Sequence, residues 1–291
     1  MSRILAVGLA TLDIIHTTEA YPAEDAEVRA LSQRVARGGN AANTLDVLAQ
    51  LGHGGQWLGV LADDPEAERI ASDLRERGID CGRAAVARGR CSPVSHVICS
   101  RRTGTRTIIH HRDLPELTPT RFAAVPLSDL DWLHFEGRNP PATLEMIRDA
   151  RARAPDLPIS VEVEKPREGV EALAESADLV LFSRVYAEAA GYNDGESFLA
   201  AAPARNLAYC AWGSEGAWLR QPDGRAVHRA AESPRRVVDT LGAGDCFNAG
   251  VLHAHLSGES AVTALEWGNR IAGAKCGQEG LEGLGTVLPP A

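Results

Sequence analysis

Apolar residues along this chain fall into two alternating patterns. The apolar run Arg3–Leu9 is typical of a strand buried on both faces of a parallel sheet, and Asp131–Glu136 and Ile159–Glu164 are further candidate strands. Longer stretches with apolar residues at helical spacing lie between such runs, for example Ala41–Leu51 and Pro65–Arg77. This alternation predicts an α/β fold: a three-layer α/β/α sandwich with a mostly parallel central sheet covered on both faces by helices.

Two regions lack this alternation. Residues 12–36 alternate loosely between polar and apolar positions and contain candidate strands at Ile14–Thr17 and Val28–Arg34. Residues 92–111 hold two β-rich stretches joined by Arg101–Gly104, which is a hairpin signal. We therefore predict a small antiparallel β-sheet, formed by about 12–36 and 92–111, that stands off the main sheet as a lid.

The composition narrows the class of protein. A formal net charge of −9 over 291 residues argues against a nucleic-acid partner. No apolar run approaches the roughly 18 residues of a membrane span. The six cysteines show no metal-ligand spacing, which favours free thiols in a reducing cytoplasm. The two lysines, Lys165 and Lys275, do not follow a GxxxxG motif, so a Walker-type phosphate loop is excluded.

The stretch from Arg236 to Leu256 is the most informative in the chain. We interpret Arg236-Val237-Val238 as the end of a strand, Asp239–Asp245 as a turn with two glycines, and Phe247–Leu256 as a small-residue helix. Such a turn leaves main-chain N–H groups free at a helix start, where they attract anions. A carboxylate at this place suits a general base that serves a phosphoryl acceptor, although Asp245 could instead only cap the helix.

A second polar stretch, Arg37–Asn43, follows the first part of the predicted lid. Its paired glycines end that part and can act as a hinge. Asn40 and Asn43 are three residues apart across a helix start, so their amides can face one way and hydrogen-bond a polyol. Alternatively, Asn40 is simply the N-cap of the following helix. Asp13 follows the first apolar run, where open α/β sheets bind ligands, unless it is a turn residue.

Together these stretches resemble the ribokinase-like carbohydrate kinases over about residues 4–280. The motifs that mark this family are GGN and DTxGAGD, present here as Gly38-Gly39-Asn40 and Asp239–Asp245. The blocks most similar to the ketohexokinase group of the family are 21–44, 134–139, 160–168, 236–249 and 272–277. The resemblance implies a ribokinase-like fold in a single kinase domain, residues 1–291, that transfers a phosphoryl group from ATP to a sugar.

The resemblance also implies a role for each site residue. Asp245 would be the general base, and the main-chain N–H groups of Gly242, Ala243, Gly244 and Asp245 would form the anion hole. The residues implied to bind the sugar are Asp13, Asp25, Gly39, Asn40, Asn43, Arg106 and Glu136. Those implied to bind ATP are Arg184, Gly213, Gly216, Asn248 and Cys276. A monovalent cation, K⁺, would lie near Asp239 and Thr240.

One part of the family pattern is missing. Many ribokinase-like enzymes carry Asn-x-x-Glu after a strand, to organise Mg²⁺ through water, whereas this chain has Ser183-Arg184-Val185-Tyr186. Mg²⁺ is still expected to accompany ATP, without assigned contacts to the protein. The resemblance further implies a homodimer joined through the lid sheet.

The expected activity is phosphorylation of a ketohexose, with D-fructose converted to fructose 1-phosphate. Short hydrogen-bonding side chains such as Asp13 and Asn40 suit neutral hydroxyls, whereas the choice of carbon 1 rests on the resemblance alone. Two alternatives stay open. The chain could be a kinase of another small or phosphorylated sugar, for which Arg106 and Arg138 offer cations, or a non-catalytic regulator that binds a sugar or nucleotide. The intact Gly242–Asp245 turn argues against the regulator.

Overall fold

The computed structural model describes residues 1–290. Its strands, numbered along the chain, are β1 (Arg3–Val7), β2 (Thr11–Thr18), β3 (Ser32–Gly38), β4 (Gly54–Leu58), β5 (Val60–Ala62), β6 (Ile79–Asp80), β7 (Ala85–Ala87), β8 (Val94–Ser100), β9 (Arg106–His111), β10 (Trp132–Glu136), β11 (Ile159–Val163), β12 (Leu179–Ser183), β13 (Leu207–Ala211), β14 (Ala217–Arg220) and β15 (Ala226–Arg229). Its α-helices are α1 (Asn40–Gln50), α2 (Pro65–Glu76), α3 (Pro119–Ala123), α4 (Pro140–Arg153), α5 (Val170–Ser176), α6 (Arg184–Ala189), α7 (Gly195–Ala201), α8 (Ala243–Leu256) and α9 (Ala261–Cys276). Within residues 1–290, no helix has the length and apolar character needed to cross a membrane.

The main sheet has the strand order β15-β14-β13-β12-β11-β10-β1-β4-β6. Neighbours from β13 to β6 are parallel, whereas β14 and β15 extend one edge as an antiparallel hairpin. Alternate residues of β1 belong to the two hydrophobic cores on opposite faces of the sheet. Leu5 and Val7 pack in the core with α4, α5 and α7, whereas Ile4 and Ala6 pack in the core with α1, α8 and α9. The predicted three-layer sandwich is therefore confirmed, and the central strands are mostly apolar because both of their faces are buried.

Helix α2 illustrates how the local sequence determines where a helix begins, which face it buries and where it ends. The Asp64 carboxylate caps the helix by accepting the Ala67 N–H at 2.8 Å, and Pro65 is the first helical residue. Ile70 and Leu74 are four residues apart on the buried face. Gly78, with φ of 74°, lies just beyond the end of the helix, close to the stop predicted from the sequence.

A second sheet has the order β3-β2-β8-β9, and its four strands come from the two regions predicted to form the lid. The outer pairs are antiparallel, as predicted, but the central pair β2–β8 is parallel. The two central strands run the same way because both enter the sheet from the main body, where the Leu12 N–H bonds to Pro93 O at 2.9 Å. The predicted strand at Val28–Arg34 begins only at Ser32, and Val28 and Leu31 lie exposed in the preceding loop.

The stretch before α8 differs most from the sequence-based expectation. Arg236-Val237-Val238 is not a strand, and both valines are about half exposed. The hairpin β14–β15 already forms that edge of the sheet, so this segment has no strand partner and bonds instead through the Val238 N–H to Cys276 O at 2.8 Å. Helix α8 also begins at Ala243, four residues before the predicted start at Phe247.

Candidate active site

The turn before α8 presents free main-chain donors. Gly242 is the N-cap of the helix, and its φ of 82° lies in the left-handed region that glycine adopts without strain. In residues 1–290, the N–H groups of Gly244 and Asp245 make no hydrogen bond, whereas Ala243 donates to Thr240 O at 3.3 Å. Unpaired donors at the positive end of a helix dipole make this turn a site for an anion.

Asp245 lies in the first turn of α8, buried beside these donors. Its side chain does not cap the helix, because the N-cap residue is Gly242 and no side chain makes a cap hydrogen bond. Instead, Oδ2 of Asp245 accepts a hydrogen bond from Nδ2 of Asn43 at 2.7 Å. The interpretation of Asp245 as a helix cap is therefore wrong, and its other carboxylate oxygen accepts no hydrogen bond from the described residues 1–290.

A polar cavity of about 380 Å³ lies between this turn, the lid sheet and the carboxyl ends of β10, β11 and β12. It is lined by most of the residues that the sequence assigned to the sugar, namely Asp13, Gly39, Asn40, Asn43, Arg106 and Glu136. Gly242, Gly244 and Asp245 line its other side. The carboxyl ends of parallel strands are the usual ligand edge of an open α/β sheet.

Four of the sequence-based placements need correction. Asp25 is exposed and does not line the cavity, because it lies in the loop beyond the end of β2. Asp13 belongs to β2 of the lid and not to the end of β1. Asn40 is the first residue of α1, after the N-cap Gly39, and donates to Oε1 of Glu162 at 3.1 Å. Asn248 lines the polar cavity and not the predicted adenine site, because it lies on the same face of α8 as Asp245.

Buried carboxyl groups dominate the electrostatics of the polar cavity. Burial raises the pKa of Glu136 to about 7. Burial also raises the pKa of Asp245 far above its ordinary value, and repulsion from Glu164 and Glu136 adds to this shift. The pKa of Glu162 is raised mainly by burial and, to a lesser extent, by repulsion from Asp245. A carboxylate with a raised pKa is a stronger proton acceptor once ionised, as a general base requires.

The orientation of Asn43 is set by a buried arginine. Nη1 of Arg37 donates to Oδ1 of Asn43 at 2.8 Å, so the amide nitrogen of Asn43 must face Asp245. The other donors of Arg37 bond to Asp46 at 2.8 Å and to Asp73 at 2.6 Å. Both ends of the Asn43 amide are thus engaged within the protein, and Asn43 orients Asp245 at the edge of the cavity.

A second, more apolar cavity of about 430 Å³ adjoins the first. Arg106, Thr240 and Gly244 line both cavities, so the two meet at the turn before α8. Four residues that the sequence assigned to ATP line this second cavity: Arg184, Gly213, Gly216 and Cys276. Its remaining wall is largely apolar and includes Val237, Phe247 and Ala272, which suits a flat heterocycle such as adenine.

Two arginines connect the lid sheet to the turn segment. Nη1 of Arg106 donates to Oγ1 of Thr240 at 2.6 Å, and Nη2 of Arg34 forms an ion pair with Oδ2 of Asp239 at 2.8 Å. The lid therefore reaches across the polar cavity to the segment that precedes the anion-binding turn.

The residues near Asp239 and Thr240 do not fit an exchangeable K⁺. Asp239 lies outside both cavity linings, and its carboxylate and carbonyl oxygens already contact the buried ammonium of Lys275. The Lys275 ammonium takes the place of a monovalent cation at these oxygens, and Arg34 adds a second positive charge at Oδ2 of Asp239.

Mg²⁺ fits the polar cavity only as a partner of nucleotide phosphates. In the described part of the chain, no group of three or more His, Cys, Asp or Glu side chains could hold a metal ion. Glu162 and Glu164 line the cavity, and Oε2 of Glu162 is buried without a hydrogen-bond partner. Mg²⁺ keeps most of its water and commonly takes one or two carboxylates together with phosphate oxygens, which matches this donor set.

Four site residues carry no assigned role in the sequence analysis. Glu162, Glu164 and Lys165 line the polar cavity, and Arg37 holds Asn43 from behind it. The first three lie in the ketohexokinase-like block 160–168, so the resemblance contained a signal for them. Arg37 directly precedes the GGN motif, but the sequence alone gives no sign of its buried partners.

An anion-binding turn, a buried carboxylate beside it, a polar cavity and an adjoining apolar cavity define a site for phosphoryl transfer from a nucleotide to a hydroxyl. The pfkB family of carbohydrate kinases matches residues 1–284, and the chain belongs to that family. The protein is an ATP-dependent carbohydrate kinase, and the predicted resemblance to the ribokinase-like kinases and their ketohexokinase group is confirmed.

Individual relatives are similar over their full length. The chain is 39% identical to ketohexokinase from Mus musculus, across 97% of this chain and 98% of that protein. It is 26% identical to an ATP-dependent ribose-1-phosphate kinase from Halopiger xanaduensis, across 99% and 96% of the two chains. The fold is similar to that of ribokinase from Giardia lamblia, with a TM-score of 0.79 at 17% identity, across 97% and 95% of the two chains.

Proposed function

We propose that this carbohydrate kinase phosphorylates a ketohexose, D-fructose, at the hydroxyl of carbon 1 to give fructose 1-phosphate. The observation that carries the proposal is the 39% identity to mouse ketohexokinase over nearly the whole of both chains. The polar cavity supports it, because Asp13, Asn40 and Glu136 offer hydrogen-bonding groups for several neutral hydroxyls.

In this proposal Asp245 takes the proton of the reacting sugar hydroxyl. Oδ2 of Asp245 already accepts from Asn43, so Oδ1 is the oxygen that receives the proton. The sugar oxygen then bonds to the γ-phosphorus, and the bond from that phosphorus to ADP breaks. The free N–H groups of Gly244 and Asp245 donate to the oxygens of the transferring phosphoryl group, where negative charge is concentrated.

Cationic side chains stand on both sides of the transferring group. Lys165 lines the polar cavity and Arg184 the apolar one, so both can meet nucleotide phosphates. Mg²⁺ bound with ATP supplies further charge neutralisation, and Glu162 and Glu164 would hold it. Arg106, on the lid, lines both cavities, so movement of the lid sheet would couple sugar binding to exclusion of water from the phosphoryl group.

We also propose a homodimer joined through the lid sheet. Every residue of the edge strand β9 is exposed, and Ile108 and Ile109 are among them. Val35 of β3 is a further exposed apolar residue of the same sheet. A small sheet with an open edge and exposed apolar side chains is normally covered by a partner.

The runner-up is a kinase of a phosphorylated sugar. Three cationic side chains, those of Arg106, Arg138 and Lys165, line the polar cavity, and one relative at 26% identity is a ribose-1-phosphate kinase. The carboxyl groups in the same cavity argue against a phosphorylated substrate, because carboxylates repel a second phosphate. These groups belong to Asp13, Glu136, Glu162, Glu164 and Asp245.

A coupled assay of ADP release across a sugar panel tests the proposal. The panel contains D-fructose, other ketohexoses, D-ribose, D-glucose and ribose 1-phosphate, with Asp245→Asn as the control for background hydrolysis. Turnover with D-fructose is expected, and phosphorus–proton correlation spectra should place the new phosphate on carbon 1. Turnover only with an already phosphorylated sugar would favour the runner-up. A product phosphorylated at carbon 6 would contradict the assignment, and a failure to release ADP with any sugar of the panel would leave only a binding role.

A further inference from the structure

The most deeply buried charge that the phosphoryl-transfer scheme leaves unused is Lys275, at the end of α9. Its side chain is fully buried, although Lys is among the residues that are almost never buried without a partner. Nζ donates to Asp239 O at 2.8 Å and to Gln278 O at 3.3 Å, and it lies 3.1 Å from Oδ2 of Asp239. Three ammonium protons thus meet two carbonyl oxygens and one carboxylate, which satisfies the charge and every donor.

Asp239 connects this ammonium to the anion-binding turn. Oδ1 of Asp239 accepts the Leu241 N–H at 2.9 Å, one residue before the Gly242 N-cap of α8. Oδ2 accepts the Gly280 N–H at 3.4 Å and pairs with Arg34 of the lid at 2.8 Å. A change in the position of Asp239 would therefore move both the start of the turn and one anchor of the lid.

A cluster of carbonyl and carboxylate oxygens without solvent is the donor set that hard metal cations take in proteins. Here the chain itself supplies the cations at these oxygens: the buried ammonium of Lys275 contacts all three, and the guanidinium of Arg34 contacts Oδ2 of Asp239. A covalently attached ammonium needs no concentration of free ion to occupy the site, so the oxygens stay neutralised under all salt conditions.

We propose that Lys275 is a built-in cation that holds Asp239 and the anion-binding turn in place, and that the enzyme therefore needs no exchangeable monovalent cation here. Lys275 is a positioning residue, since it acts on the reacting groups only through Asp239 and Leu241. The inference rests on the proposed function for its effect on turnover, but its effect on the stability of the free protein does not depend on any substrate.

The test compares wild type with Lys275→Met in KCl and in tetramethylammonium chloride, whose cation is too large for the site. The wild type should show the same melting temperature and the same turnover in both salts. Lys275→Met removes the charge and keeps an apolar stem of similar length. In tetramethylammonium it should melt lower and lose turnover by about ten- to a hundredfold, less than the loss of a whole anion-hole donor. KCl or NH₄Cl should restore both properties in part.

Arg270→Met is the matched control, because Arg270 lies on the same helix but is about half exposed and forms its ion pair with the exposed Glu232. It should respond equally to the two salts. A wild type that loses turnover or melts lower without K⁺ would overturn the inference, as would a folded Lys275→Met that is as active in tetramethylammonium as wild type. If Lys275→Met does not fold in any salt, the comparison of wild type in KCl and in tetramethylammonium chloride still tests the inference. The melting curves also separate this inference from the choice of sugar, because they use no substrate.

Discussion

The substitution Arg37→Met removes the centre of a buried charge network and provides the most stringent test of the site geometry. The side chain of Arg37 is 2% exposed, and its donors bond to Asp73, Asn43 and Asp46 at 2.6, 2.8 and 2.8 Å. Asp46 is equally buried, so the variant leaves a carboxylate in the interior with only Arg77, at 3.1 Å, and Gln50, at 3.0 Å.

Breaking a buried ion pair from one side costs about 3–5 kcal/mol, and the remaining contact to Arg77 places the expected loss near the lower end, about 3 kcal/mol. The unfolding entropy of a chain of 291 residues is about 0.6 kcal/mol/K, so the melting temperature should fall by about 5 °C. Burial already raises the pKa of Asp46, and loss of Arg37 would raise it further. Because the pKa of Asp46 is higher in the folded than in the unfolded state, the loss of folding stability grows as pH rises. The variant should therefore lose less stability at low pH than at pH 8.

Urea unfolding followed by tryptophan fluorescence measures the loss of stability at both pH values. Arg77→Met is the matched control, because Arg77 touches the same carboxylates from a side chain that is 25% exposed, and it should cost no more than about 1 kcal/mol. Adding Asp46→Leu to Arg37→Met should recover part of the stability, because the unpaired charge is then gone.

Turnover should fall as well, because Asn43 loses the partner that fixes its amide. A displaced Asn43 would no longer hold Asp245, and misplacement of a reacting group by about 1 Å can lower the rate by about 100-fold. A loss of stability below about 1 kcal/mol, together with unchanged turnover, would refute the reasoning that Arg37 supports both the fold and the base.

Three further predictions concern the base and the assembly. Asp245→Asn should lower turnover by about two to four orders of magnitude while sugar and ATP still bind by calorimetry; near-normal turnover would exclude Asp245 as the base. Because burial raises the pKa of Asp245, kcat/KM should fall as pH falls through the neutral range and not only near pH 4. Glu164→Gln should move that limb to lower pH, because Glu164 repels the charged form of Asp245; an unmoved limb would contradict this repulsion. Light scattering should give about twice 31.0 kDa for wild type and a smaller mass for Ile109→Glu, whereas a wild-type monomer would disprove the lid-sheet dimer.

The sequence alone determined the layers of the fold and the place of the reacting groups. The alternation of apolar-rich runs and helical stretches predicted the sandwich, because strands that are buried on both faces of a sheet are mostly apolar on both sides. Gly242–Asp245 is a local motif whose geometry follows from its own residues, since glycine, a helix start and a carboxylate are contiguous there. Residues 12–36 and 92–111 were also recognised as a separate sheet from their pattern.

Tertiary structure decided which side chains meet, because that depends on pairs far apart in the chain. Asn43 and Asp245 are separated by 202 residues, and only the packing of α1 against α8 shows that Asn43 orients the base. Arg236–Val238 is β-rich in composition, but an edge already taken by β14 and β15 leaves it no strand to pair with. Asp25 matches the motif yet lies exposed, since its loop extends beyond the lid strand.

Lys275 shows most clearly that the sequence alone does not reveal which groups surround a side chain. By sequence it is an ordinary lysine at the end of an amphipathic helix, where such residues commonly face water and offset the helix dipole. In the fold its ammonium is enclosed by the oxygens of Asp239 and Gln278. A charge is stable in the interior only when the surrounding chain supplies compensating groups at hydrogen-bond distance, and that arrangement exists only after the distant segments have packed together.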